Sequence, residues 1–281
     1  MGRFKGGKLI QMANFHNDAW IMNRLEEHYE EAKTLIDESR IVGIFIQGSQ
    51  NYGLDYEGSD IDTKLIVVPT FEDIAFNKKP ISTTHVRENN EHIDLKDIRL
   101  YIETFRKQNL NFLEILFTPY RIVNPQYAKW WNMLIEHKED IAHYDIHRAI
   151  KSMKGIALEK YHAMEHKYPS KVDIIEKYSY DPKQLHHLLR VEDYLIRYIN
   201  GEKYENCLNP GKLSQFLKDV KQGLFNIEEA RIEANRAIEN ITKITDNYIL
   251  DNENYVNELA EKVMVEVQYN IMKIAVKNEL M

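Results

Sequence analysis

At 281 residues the chain has room for one large domain or two of ordinary size, and 43% hydrophobic with 29% charged residues is the balance of a globular protein, not a disordered one. A net charge of −7 and a pI of about 5.9 exclude a general nucleic-acid coat, while leaving room for a local basic groove. The single Cys207 rules out an internal disulfide, the opening MGRFKGGKLIQMANF is basic without an apolar run of signal-peptide length, and no run of about 18 apolar residues predicts a membrane span, so a cytoplasmic protein without membrane contact is expected.

The first expected element is an amphipathic helix over Asn17 to Arg40, where Trp20, Ile21, Leu25, Tyr29, Ala32, Leu35 and Ile36 recur at roughly helical spacing. IVGIFI (Ile41–Ile46) then reads as a buried strand that runs into Gln47-Gly48-Ser49. A second strand covers Asp60–Val68 and stops at Pro69. Residues 83–95 form a hairpin with its turn at Glu88-Asn89-Asn90, followed by a helix from Lys96 to Lys107 and the apolar run Phe112–Phe117. Strand signals end by about Tyr127. Helical patterns then fill Gln126–His137, Asp145–His166, Pro182–Asn200, Lys212–Gln222, Glu228–Leu250 and Asn254–Lys277, with Asn209-Pro210-Gly211 as a breaker. The expected plan is an α+β portion over residues 1–125 followed by an all-helical domain over 126–281 that closes a cleft.

Chemistry concentrates in IFIQGSQNYGLDYEGSDIDTKLIVV. Residues i and i+2 of a strand share a face, about 7 Å apart at their Cα atoms. Asp60 and Asp62 would therefore present two carboxylates side by side, a costly pairing unless a cation neutralises them. Magnesium suits that place, because it takes carboxylate oxygens supplemented by water and phosphate. The bland alternative makes Asp60 a turn residue and Asp62 a solvated one. Gly48 permits a positive φ that brings backbone N–H groups close to a ligand, and Ser49 adds a hydroxyl; alone, the pair is an ordinary turn. Neither the dinucleotide-binding glycine pattern nor the Walker A loop is present.

Taken jointly, Gly48-Ser49, Gly53 and Ser59-Asp60-Ile61-Asp62 between two apolar strands resemble the DNA polymerase β-like nucleotidyltransferase superfamily. Tyr52-Gly53 and Ser59 narrow the resemblance to bacterial and phage nucleotidyltransferases, some linked with RNA repair. Lys107-Gln108-Asn109-Leu110-Asn111, followed by an apolar run with Glu114, is similar to a further family block in which proline usually stands at the position of Leu110. Tyr180-Asp181-Pro182-Lys183 resembles the family's helix-opening motif. The likeness covers about residues 40–200.

The resemblance implies an α+β polymerase-β-like sheet with flanking helices. It also implies two magnesium (or manganese) ions between Asp60, Asp62 and a third acid, with a nucleoside triphosphate such as ATP as substrate and RNA or tRNA among the acceptors. Asp94 is the expected third carboxylate and Asp97 its rival. The β- and γ-phosphates would lie on Gly48 N–H and Ser49 Oγ. Tyr52, Gly53, Ser59, Lys183, His187 and Arg190 complete the expected nucleotide site; adjacent His186 and His187 are not expected to face one site together, and the family likeness alone favours His187. Glu114, alone in an apolar run, reads first as a hydrogen-bonded structural acid. The pairs His162/His166 and His143/His147 lack a metalloprotease glutamate and read as surface. A stripe of Ile232, Ile238, Ile241, Ile244, Tyr248 and Ile249 reads as internal packing, with a homodimer contact through the C-terminal helices as the alternative. Two other functions stay open beside the enzyme: an antitoxin-like partner of a protein toxin, and a silent nucleotide-binding module.

Overall fold

A computed structural model describes residues 14–280, so most of the basic opening segment lies outside the described residues. In chain order the elements are α1 (Asp18–Leu35), β1 (Ile41–Gln47), β2 (Asp62–Val67), α2 (Phe71–Ala75), β3 (Ser82–Val86), β4 (His92–Asp97), α3 (Ile98–Arg106), α4 (Leu110–Leu113) and β5 (Arg121–Val123). The remainder is helical: α5 (Pro125–Glu136), α6 (Lys138–Ala142), α7 (Ile146–Ala163), α8 (Val172–Tyr178), α9 (Pro182–Ile199), α10 (Tyr204–Leu208), α11 (Ser214–Lys221), α12 (Ile227–Asp251) and α13 (Glu258–Leu280). Among the described residues no helix is long and apolar enough to cross a membrane.

The strands form one mixed sheet in the order β3-β4-β2-β1-β5. β2 and β4 run parallel and every other neighbour is antiparallel. β1 is buried along nearly its whole length because both of its faces are covered. On one side Ile21, Leu25 and Ala32 of α1 pack on Ile41, Ile44, Ile46, Leu65 and Val67. On the other, Val42, Phe45 and Ile66 join a core that runs through α3, α5, α7 and α9 and reaches Ala275 of α13. Phe45 lies against Trp131 of α5 at 4.3 Å between ring centroids.

Several local readings needed correction. The first helix ends at Leu35, and Glu38–Arg40 is a separate 3₁₀ turn, because the Asp37 side chain accepts the Ser39 N–H at 2.8 Å and starts a new turn. The Phe112–Phe117 run is α4 followed by a 3₁₀ turn, Glu114–Leu116, opened by the Asn109 side chain on the Asn111 N–H. Leu110 is the first residue of α4, where a proline would lose no helical hydrogen bond, so its backbone remains compatible with the family pattern. β5 carried no usable signal in three residues. In α12 the buried face is Ala230, Ala234, Ala237, Ile241 and Thr245, whereas Ile232 is 66% exposed: small residues let α12 approach α9 and α7 closely, and the larger isoleucines flank that contact.

Candidate active site

The antiparallel register pairs Gln47 at the end of β1 with Asp62 at the start of β2, and the parallel register sets His92 beside Asp62. Three strand termini thus meet at one end of the sheet. The Gly48-Ser49 bend and the acidic segment are tied directly, since Gln50 Nε2 donates to the Asp60 carbonyl at 2.8 Å. Gly48 has φ +102°, a backbone that L side chains rarely adopt, so glycine is required there. The bend is closed by Asn51 N–H to Gly48 O at 2.9 Å and Leu54 N–H to Ser49 O at 3.0 Å.

A cavity of about 210 Å³ opens over this bend. Gly48, Ser49, Tyr52, Asp60 and Asp62 border it from the sheet side, and Lys183, His187 and Arg190 from α9. Asp181 caps α9 through the Lys183 N–H at 2.9 Å, which sets the helix's first turn at the cavity mouth. Positions 183, 186, 187, 190 and 191 all line the cavity, the i, i+3, i+4, i+7, i+8 spacing of one helical face. Adjacency in sequence predicts that His186 and His187 do not share the site. Both border it, because side chains one residue apart diverge by only about 100° on a helix and the cavity spans that arc. Burial depresses both imidazoles, His186 to about 3, so the His186 nitrogen facing the Leu217 carbonyl at 2.8 Å carries the proton and donates.

Arg190 is 8% exposed, and its guanidinium lies 3.6 Å from the centroid of the Tyr52 ring. Its Nε and Nη2 are buried with no hydrogen-bond partner among the described residues. A buried cation with unused donors is expensive, which marks it as the natural seat of an anion. Two further cations that sequence reasoning missed, Lys160 of α7 and Lys221 of α11, line the same cavity as the aspartates. Burial, helped by the nearby Lys183 charge, lowers the Lys221 ammonium to about 8. No local motif announces either lysine. Asn111, also on the cavity wall, stood within a block noted for its family likeness.

Glu114 is 3% exposed and borders the cavity, and its Oε1 accepts the Gly48 N–H at 2.8 Å. Burial pushes its carboxyl up to about 7, against the opposing pull of Arg190 and of that N–H. The Gly48 amide expected to meet phosphate is therefore already engaged, and Ser49 is left as the open donor of the bend. Gly53 borders a separate depression with Asn14 and Tyr120. Ser59 is absent from the cavity wall; its Oγ accepts the Tyr56 N–H at 3.0 Å and holds the loop.

The acids divide. The Asp60 carboxylate has no hydrogen bond or ion pair among the described residues, and Asp62 uses only Oδ1, toward the His92 N–H at 3.1 Å and ring at 2.9 Å. Asp94 shares a sheet face with Asp62, since it lies in register with Lys64 two residues further along β2. Its carboxylate is paired with the Lys64 ammonium and accepts from Thr84 Oγ1 at 3.1 Å, and it does not line the cavity. Among the described residues no three His, Cys, Asp or Glu side chains stand together as a metal-binding group. Asp97 is sealed on the opposite face, capping α3 through the Arg99 N–H at 2.8 Å and pairing with the Arg99 guanidinium at 2.7 Å.

A mixed sheet with an acidic segment and a glycine bend at one end, backed by helices, is the α+β arrangement of a polymerase-β-like nucleotidyltransferase. The chain belongs to RlaP, the RNA repair pathway DNA polymerase beta family, whose model matches residues 18–192. A nucleotidyltransferase-like protein from Exiguobacterium sibiricum 255-15 is similar over 90% of this chain and 80% of its own, at 11% identity and a TM-score of 0.28, a superposition too loose to carry detail. No curated protein matches the sequence. Lys221, and the Leu217 carbonyl that fixes His186, fall beyond the matched residues.

Proposed function

We propose that the chain is a metal-dependent nucleotidyltransferase that moves a nucleoside monophosphate from a nucleoside triphosphate to a hydroxyl acceptor. The acceptor oxygen bonds to the α-phosphorus, the bond to the bridging oxygen of the β-phosphate breaks, and pyrophosphate leaves as the hydroxyl proton departs. One observation carries this reading: Asp60 and Asp62 line the same small cavity as Lys160, Lys183, Arg190 and Lys221. Both signs of charge in one cavity suit a polyphosphate bridged to carboxylates by a divalent cation.

The open oxygens of Asp60 and Asp62 fit such a cation, with water and phosphate completing its shell. Bound there, magnesium or manganese would neutralise charge on the triphosphate and favour ionisation of the acceptor hydroxyl. The chain's own residues do the rest. Arg190 borders the cavity and lies on the Tyr52 ring, with two buried nitrogens unpartnered among the described residues that a phosphate entering the cavity would engage. Lys183, Lys160 and Lys221 add charge, Ser49 adds a hydroxyl, and Glu114 keeps the bend in shape. The family's tie to RNA repair makes an RNA end the first acceptor to test.

Incubation with magnesium and labelled nucleoside triphosphates should release pyrophosphate, and Asp60→Ala with Asp62→Ala should abolish it. Equal turnover by the double variant refutes the proposal. The engagement of Asp94 by Lys64 favours one second reading, a module that binds nucleotide without transfer. Calorimetric binding of triphosphate with no pyrophosphate from any acceptor would select it.

A further inference from the structure

We infer that the acidic site takes a single divalent ion, held by Asp60 and Asp62, and that the Lys64 ammonium is the built-in cation that serves Asp94. The inference deepens the nucleotidyltransferase reading and rests on it.

The argument starts from strand register. Asp62 and Lys64 are two residues apart on β2 and so share a face; Asp94 on β4 is in register with Lys64 and joins that face. The sheet therefore sets a lysine on the shared face, next to Asp94 and two residues along β2 from the acid of the cavity. Lys64 is 6% exposed, so its charge has little water to compensate it. It is compensated instead by the Asp94 carboxylate and by the ring of Phe112, 4.6 Å from the ammonium. Both Asp94 oxygens are committed, Oδ2 to Lys64 and Oδ1 to Thr84 Oγ1.

A metal on Asp94 would have to displace this ammonium. Expelling Lys64 would strand a buried cation beneath Phe112, next to Lys96, whose own ammonium sits 3.9 Å from the same ring. Two positive charges are already stacked on that ring, and a third, divalent one is opposed by both. Among the described residues Asp60 has no ion pair with a lysine or arginine, and Asp62 contacts only His92, through Oδ1. Lys64 thus acts as a positioning residue, fixing Asp94 and balancing its charge where a second ion would otherwise be needed.

The test counts ions. The full chain is mixed with a triphosphate analogue whose α–β bridging oxygen is replaced by methylene and is titrated with Mn²⁺, free Mn²⁺ being read by electron paramagnetic resonance. One Mn²⁺ per chain is expected, lost in Asp60→Asn with Asp62→Asn. Asp94→Asn should leave its affinity within about twofold of wild type, and Lys64→Met should raise the count to two, returning to one when Asp94→Asn is added. Two ions in the wild type, loss of the ion in Asp94→Asn, or a count of one in a folded Lys64→Met chain overturns the inference alone. No ion in the wild type overturns the nucleotidyltransferase reading with it. The wild-type count depends on no variant folding.

Discussion

Replacing Arg190 by methionine should separate function from stability. The guanidinium is buried on the Tyr52 ring with Nε and Nη2 unpartnered among the described residues. Each charge-assisted hydrogen bond that a phosphate would make to those donors is worth about 1.5–3 kcal/mol. Two of them at the lower end give about 3 kcal/mol, close to a hundredfold in affinity at about 1.4 kcal/mol per decade. In the ligand-free chain the same donors cost desolvation without return, and the ring contact recovers only about 1–2 kcal/mol of it. Methionine fills a similar volume and removes the cost, so the melting temperature should stay within about 2 °C, under 1 kcal/mol for a chain of this size. Arg190→Lys should recover part of the affinity through charge, without the planar fork. Calorimetry with a non-transferable triphosphate and a thermal melt read the two quantities. Affinity within about threefold of wild type, or a melting temperature lowered by more than about 8 °C, would show that Arg190 is a structural cation and refute the reasoning.

Other outcomes follow from the same site. Because Glu114 binds its proton more tightly folded, at about 7, than at its usual 4.5, the native state holds more protons than the unfolded one between those values. Stability should therefore fall as pH rises from about 4.5 to 7 by up to about 3 kcal/mol, and Glu114→Gln should flatten that slope in pH-dependent melts; a wild type already flat there contradicts the assignment. Lys221, charged below about 8, should give triphosphate affinity that weakens as pH passes that value, and Lys221→Met should show no such step. Gly48→Ala forces an L side chain into φ +102° and should cost about 1–3 kcal/mol, seen as a lower melting temperature; an unchanged melt would mean that the bend relaxes freely.

What could be read from the chain was local. Asp60, Asp62, Gly48 and Ser49 lie within fifteen consecutive residues, so their spacing alone states that a bend and two acids border neighbouring strands. Asp181-Pro182-Lys183 announces a helix start by its capping chemistry, and α9 begins there. What could not be read was distant pairing. That Lys64 faces Asp94 is a matter of parallel register across 30 residues of chain, and one step of slippage would have turned Asp94 away. Lys160 and Lys221 reach the cavity only because α7 and α11 pack on α9, a contact set by apolar faces that say nothing about the lysines beside them. Glu114 was legible as a buried acid needing a donor, but its partner, the Gly48 amide, is 66 residues away.

The core that runs unbroken from Val42 and Phe45 to Ala275 has a consequence for selectivity. The sheet side and the helical side of the cavity share one apolar interior, so prising them apart would expose buried hydrophobic surface. On the proposed function, a base or acceptor too large for the cavity would be admitted only at that cost in exposed apolar surface.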